Sequence, residues 1–140
     1  MNKKFIYAGL IGGVFAFFAG WLVFGVLLMD VMMSNATESM KNASLPMDQM
    51  NYPSLIVSNL AWGFFTAYIL GVVGKVTTWQ SGARMAAIIT FLLVIAYDLG
   101  FYSMTTLYSV NGMLIDIVAN VIMGALIGGV VGYVLGRIKD

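Results

Sequence analysis

The sequence predicts an all-α protein, a four-helix transmembrane bundle that forms a single integral-membrane domain over residues 1–140. Three observations carry this reading. Hydrophobic residues make up 61% of the chain and charged residues 9%, and its mean hydropathy is +0.93. Soluble chains carry about 25% charged residues. Four apolar runs, 5–33, 54–76, 85–107 and 112–138, each reach the ~20 residues that cross a hydrocarbon core of about 30 Å. The basic residues are also lopsided. With the N-terminus inside, Lys3, Lys4, Lys75, Arg84, Arg137 and Lys139 all face the cytoplasm and only Lys41 faces out, which predicts both termini on the cytoplasmic side.

Each element has its own signals. The first run follows Lys3 and Lys4, as a secretory signal would, but it continues past the 7–15 residues of a signal's apolar region, so a retained span is expected. Residues 34–53 form the one long polar loop, on the outer side. Within it, Asn35-Ala36-Thr37-Glu38 resembles a capping box and predicts a short helix beginning at Asn35. Pro53 suits the first turn of the second span. Short turns at 77–82 and 108–111 predict that spans two and three, and three and four, are antiparallel neighbours. Tyr52 and Tyr108 are placed at the outer interface, and Tyr7, Trp79 and Tyr133 at the inner one, as an aromatic belt requires.

The fourth span has a distinctive face. Every fourth residue reads Gly112, Asp116, Asn120, Gly124, Gly128, Gly132, Gly136. Residues four apart on a helix lie nearly in line. The second span carries Asn59, Gly63, Ala67, Gly71, and the first Ala8, Gly12, Ala16, Gly20. Lipid gives no hydrophobic drive for helix association, so small residues that let backbones approach supply it. These stripes are expected to be helix-packing interfaces, within the bundle or between copies. The string Gly-Val-Val-Gly occurs at 71–74 and 129–132, and suggests that the inner part of span four has its counterpart in span two.

The polar residues within the spans, Asp30, Asn59, Asp98, Asp116 and Asn120, all fall in the predicted outer half. On span three, Asp98, Tyr102, Thr105 and Ser109 share a face. A candidate site follows: Asp98 and Tyr102 facing Asp116 and Asn120, with Asn59 and Asp30 near by. An ionised Asp at membrane depth costs roughly 2.5–3.5 kcal/mol. No Lys or Arg lies at matching depth, so at least one carboxyl is expected to be protonated or to open to an outward water-filled cavity. Such a group either binds a proton or small cation, or holds helices in register through polar bonds.

Composition removes several functions. The chain has no Cys and no His, which leaves no thiol chemistry, no imidazole base and no ordinary zinc or haem site. A net charge of +1 gives no reason to expect nucleic acid. No nucleophile elbow, P-loop, HExxH or dinucleotide fingerprint occurs. Met29, Met32, Met33, Met40, Met47 and Met50 crowd the outer side. Without Cys or His they read as adaptable hydrophobes for a partner or lid rather than a copper site. The matches Asn35-Ala-Thr and Asn42-Ala-Ser to glycosylation sequons carry weight only in a eukaryotic secretory setting.

The segments Gly20-Trp21-Leu22-Val23-Phe24-Gly25, Asn59-Leu60-Ala61-Trp62-Gly63 and Tyr97-Asp98-Leu99-Gly100-Phe101-Tyr102 give the chain its resemblance to small bacterial four-span inner-membrane proteins of unknown function. The resemblance spans all four runs and implies a bacterial cytoplasmic membrane. The expected function is that of a non-enzymatic oligomerising or accessory subunit acting through its glycine stripes. The alternative is a small proton- or cation-linked carrier or channel using the Asp/Asn cluster. No cofactor or metal is expected. The expected partners are the lipid bilayer and either a second copy or another membrane subunit.

Overall fold

The computed structural model describes residues 3–138, so Lys139 lies outside the described residues. Those residues form helices and connections, with no strand among them. The helices are α1 (Lys3–Leu22), α2 (Met29–Asn35), α3 (Glu38–Ala43), α4 (Tyr52–Tyr68), α5 (Trp79–Met104) and α6 (Val110–Arg137). Wide π turns extend α1 through Val23–Leu27 and α4 through Ile69–Val73. Four segments are long and apolar enough to cross a membrane: Lys3–Leu27, Tyr52–Val73, Trp79–Met104 and Val110–Arg137. The architecture is therefore that of a multi-pass membrane protein.

The first span stops six residues short of the expected end. Leu28 N–H donates to Val23 O at 2.8 Å and closes the π turn. Leu28 then takes φ −105° and ψ −1°, and the chain leaves in a new direction as α2. Hydrophobicity alone does not mark this break, because Met29, Val31, Met32 and Met33 continue the apolar run around Asp30. The cap of α3 also differs from the expectation. Thr37, not Asn35, accepts from Met40 N–H at 3.1 Å, while its own hydroxyl donates to Leu107 O at 2.8 Å. Asn35 instead ends α2, its amide donating to Val31 O at 2.8 Å. Other starts follow from side-chain caps. Asn51 accepts from Ser54 N–H, with Pro53 in the first turn as expected, Thr78 accepts from Ser81 N–H, and Ser109 accepts from Gly112 N–H. The Thr78 cap starts the third span at Trp79, well before residue 85.

The bundle is two hairpins joined along one seam. In the first, α1 and α4 touch backbone to backbone: a Cβ on Gly63 would lie 2.6 Å from Gly13 Cα, and one on Gly13 would lie 2.7 Å from Leu60 Cα. In the second, α5 and α6 meet in one antiparallel register, with Gly82 and Ala86 against Gly128, Gly82 also against Gly132, and Thr90 against Gly124. The hairpins join through α6. Gly12 of α1 rests on Val131, Gly71 rests on Leu135, and Ala8, Ala16, Leu70, Ile127, Val131 and Leu135 are buried around them.

Spans two and three are not the close neighbours that their short turn predicts; α4 and α5 make no more than marginal contact. The connection explains why. Lys75 adopts φ 47°, turning the chain toward α6. Val76 is buried, Thr77 O lies against Gly136, and Thr78 O would be 2.6 Å from a Cβ on Gly132. The linker is laid over the end of α6, so α5 rises beside α6 and not beside α4.

Candidate functional site: a cavity backed by two carboxyls

Reading α5 every fourth residue gives Thr78, Gly82, Ala86, Thr90, Val94, Asp98. Reading α6 in the opposite direction gives Gly136, Gly132, Gly128, Gly124, Asn120, Asp116. The two lines face each other, so the glycine seam and the acidic residues are one continuous interface. At its far end the Asp98 and Asp116 carboxyls lie within hydrogen-bond reach of each other. Asn120 fixes Asp116 from one turn on, its amide donating to Asp116 O at 2.9 Å and Oδ2 at 2.8 Å. Because both targets are acceptors, the amide can sit only one way round.

Asp98 is 3% exposed, and its Oδ2 finds no donor among the described residues. A hydrogen bond between two carboxyls needs one proton between them. Lys41, the basic residue of the loop, pairs with Glu38 at 3.1 Å. Above the acids lies a cap built by the long loop. Ser109 Oγ donates to Asn35 O at 2.5 Å, and Ser39 and Thr106 hydroxyls meet at 2.8 Å. Tyr108 belongs to this cap. Burial, and next the Asp116 and Asp98 carboxyls, push its hydroxyl above the usual phenol range.

The expected cluster is therefore smaller than the sequence suggests. Asp98, Asp116 and Asn120 come together. Tyr102 does not join them: it is 45% exposed, and the Gly112 position that would face it is covered by Asn35 O. Asp30 is exposed on α2, beyond the break at Leu28. Asn59 lies on α4, away from the acids, with its amide donating to Leu55 O at 2.8 Å. The packing residues divide in the same way. Gly124, Gly128, Gly132 and Gly136 pack on α5 and its linker, not on span two. Gly63 meets α1, Ala67 is fully buried, and Gly71 meets Leu135. Gly12 and Ala16 are buried, whereas Gly20 has nothing within 4 Å of a Cβ.

Gly20 is open because it borders a cavity of about 640 Å³. The space lies between the hairpins, where α4 and α5 diverge. Phe17, Trp21 and Phe24 line it from α1 and its π turn, Trp62 and Asn59 from α4, Val94 and Tyr97 from α5, and Asn120 and Met123 from α6. Met47 and Met50 of the loop and Tyr52 at the start of α4 also line it. Tyr52 Oη donates to Met47 O at 2.9 Å and ties that segment down. A ligand site of 300–1,000 Å³ with apolar walls and a few polar groups is typical for small molecules. Asn120 belongs to both features: it lines the cavity and binds Asp116. Asn59 and Asn120, about two and three turns into their helices, signalled polar groups at this depth. The aromatic walls were hidden among ordinary membrane aromatics.

Comparison with family models, curated proteins and solved structures returned no match for this chain.

Proposed function

We propose that this is a non-enzymatic membrane protein that holds an amphipathic small molecule in the cavity between its two hairpins. The observation that carries the reading is the divergence of α4 and α5 around about 640 Å³ of mostly apolar space containing two amides. Most of the lining residues on α4 and α5 lie within the membrane-crossing lengths of those helices, which supports entry of a bilayer-dissolved molecule from the side. Asn59 and Asn120 orient its polar end. The glycine stripe of α6 is engaged within the chain, which supports a packing role there more than an oligomer face. The absence of any nucleophile with a base supports binding rather than chemistry. The basic-residue bias and the sequence resemblance support a bacterial cytoplasmic membrane with both termini inside, which puts the cavity in the outer half.

Gly20 provides the test, because its Cβ position opens onto the cavity without a clash. Native mass spectrometry with a monoacylglycerol should give one adduct per wild-type chain. Gly20→Phe should lose that adduct by filling the space. Gly100→Phe should keep it, since Gly100 is equally open and does not border the cavity. An adduct that persists in Gly20→Phe would refute the assignment.

A second reading, a proton- or cation-linked carrier, is favoured by one observation: Asn120 joins the cavity to the Asp98–Asp116 pair. On that reading, proteoliposomes should show a proton flux that Asp98→Asn abolishes. A wild type that moves no protons would end it.

A further inference from the structure

The chemistry of the cavity walls selects a class of ligand, and the selection rests on the binding role proposed above. Among the described residues that line the cavity, none is charged. Six are aromatic: Phe17, Trp21, Phe24, Tyr52, Trp62 and Tyr97. Aromatic faces carry negative quadrupole charge and attract cations, tryptophan most strongly.

The polar lining points the same way. Both N–H bonds of the Asn120 amide are taken by Asp116, so Asn120 offers only its carbonyl oxygen. The Ser58 hydroxyl donates to Leu55 O and the Tyr52 hydroxyl to Met47 O, which leaves each with lone pairs to offer. The remaining donors, the indole N–H groups, the second Asn59 N–H and the Thr90 and Tyr97 hydroxyls, are neutral. Behind Asn120 stand Asp116 and Asp98, the ionisable groups next to the cavity on α6 and α5. A carboxylate in this low-dielectric setting acts over a longer range than it would in water and favours a cation in the adjoining space. From the α5–α6 connection, Tyr108 adds a phenol to this group. Lys41, already paired with Glu38, adds no competing positive charge.

We infer that the cavity binds a lipophilic monocation, an organic ammonium or phosphonium with aryl or alkyl arms, held by the aromatic walls and the Asn120 carbonyl in the field of the Asp98–Asp116 pair.

Tetraphenylphosphonium and tetraphenylborate provide the test, since they share shape and differ in charge. In isothermal titration of the detergent-solubilised full chain, the phosphonium should bind one per chain and the borate should not bind measurably. Gly20→Phe should abolish phosphonium binding. Asp116→Asn should weaken it about tenfold. Equal affinity for the two ions, or an Asp116→Asn variant as tight as wild type, would overturn the inference. If the monoacylglycerol adduct survives either result, the cavity role stands and only the cation preference falls. If both adduct and phosphonium fail, the cavity role falls with it. Should Asp116→Asn not fold, the wild-type comparison of the two ions decides alone.

Discussion

Gly128→Leu is expected to be among the most damaging single changes in the protein, lowering stability by about 3 kcal/mol or more. A Cβ on Gly128 would meet the Ala86 methyl and lie 2.5 Å from Gly82 O. That oxygen belongs to helix backbone and cannot turn aside. Overpacking a well-filled core costs about 1–3 kcal/mol when side chains can shift, and here the obstacle is main chain. The helices must separate, and the seam loses contact over several turns. The measurement is thermal unfolding in detergent, followed by circular dichroism. Gly128→Ala should fall between Gly128→Leu and wild type, because even a methyl meets Ala86. Gly100→Leu is the control and should unfold with wild type, having nothing within 4 Å of its Cβ. A Gly128→Leu protein as stable as Gly100→Leu would contradict the α5–α6 register.

Asp98→Leu should be the second largest effect, destabilising by about 2–4 kcal/mol. The residue is 3% exposed, and its carboxyl faces that of Asp116. Removing one partner of a buried polar pair leaves the other to carry its desolvation alone, a cost that reaches about 3–5 kcal/mol for charged groups. Asn120 still donates to Asp116 and reduces that cost. Asp98→Asn should retain most of the stability, because the new amide can donate to the Asp116 carboxyl without a shared proton. The two substitutions thus separate burial of a polar group from the proton itself. Unfolding by SDS titration, compared across wild type, Asp98→Asn and Asp98→Leu, would show that order. Equal loss in both variants would mean that the carboxyl pair does not hold the hairpin together.

The four spans were legible because length and apolarity suffice to identify a membrane-crossing helix. The site was half legible. Asp98, Asp116 and Asn120 stood out because polar groups in apolar helices are expensive. Their geometry was missed because span three was read outward from Asp98, toward Tyr102 and Ser109. The informative direction was inward: Thr90, Ala86 and Gly82 continue the same line and pair with the glycines of α6. The α4–α5 gap was not legible at all. A short linker normally makes neighbours, and it takes the left-handed turn at Lys75, the burial of Val76 and the contacts of Thr77 and Thr78 with the α6 glycines to show this one crossing to α6. The Met47–Met50 segment was read as a lid or docking element, and its two methionines do line the cavity.

The two-hairpin layout also bears on how the protein is made. Each hairpin joins spans that are consecutive in the chain, so its packing surfaces are complete as soon as its second span has been synthesised. Contacts between segments close in sequence form fastest, and chains acquire structure from the N-terminus during synthesis. The α1–α4 pair can therefore assemble while α5 and α6 are still on the ribosome. Docking of α6 against α1, through Gly12 and Val131, joins residues 119 positions apart and has to come last. That docking encloses the cavity, so the binding space is completed only when the final span is in place.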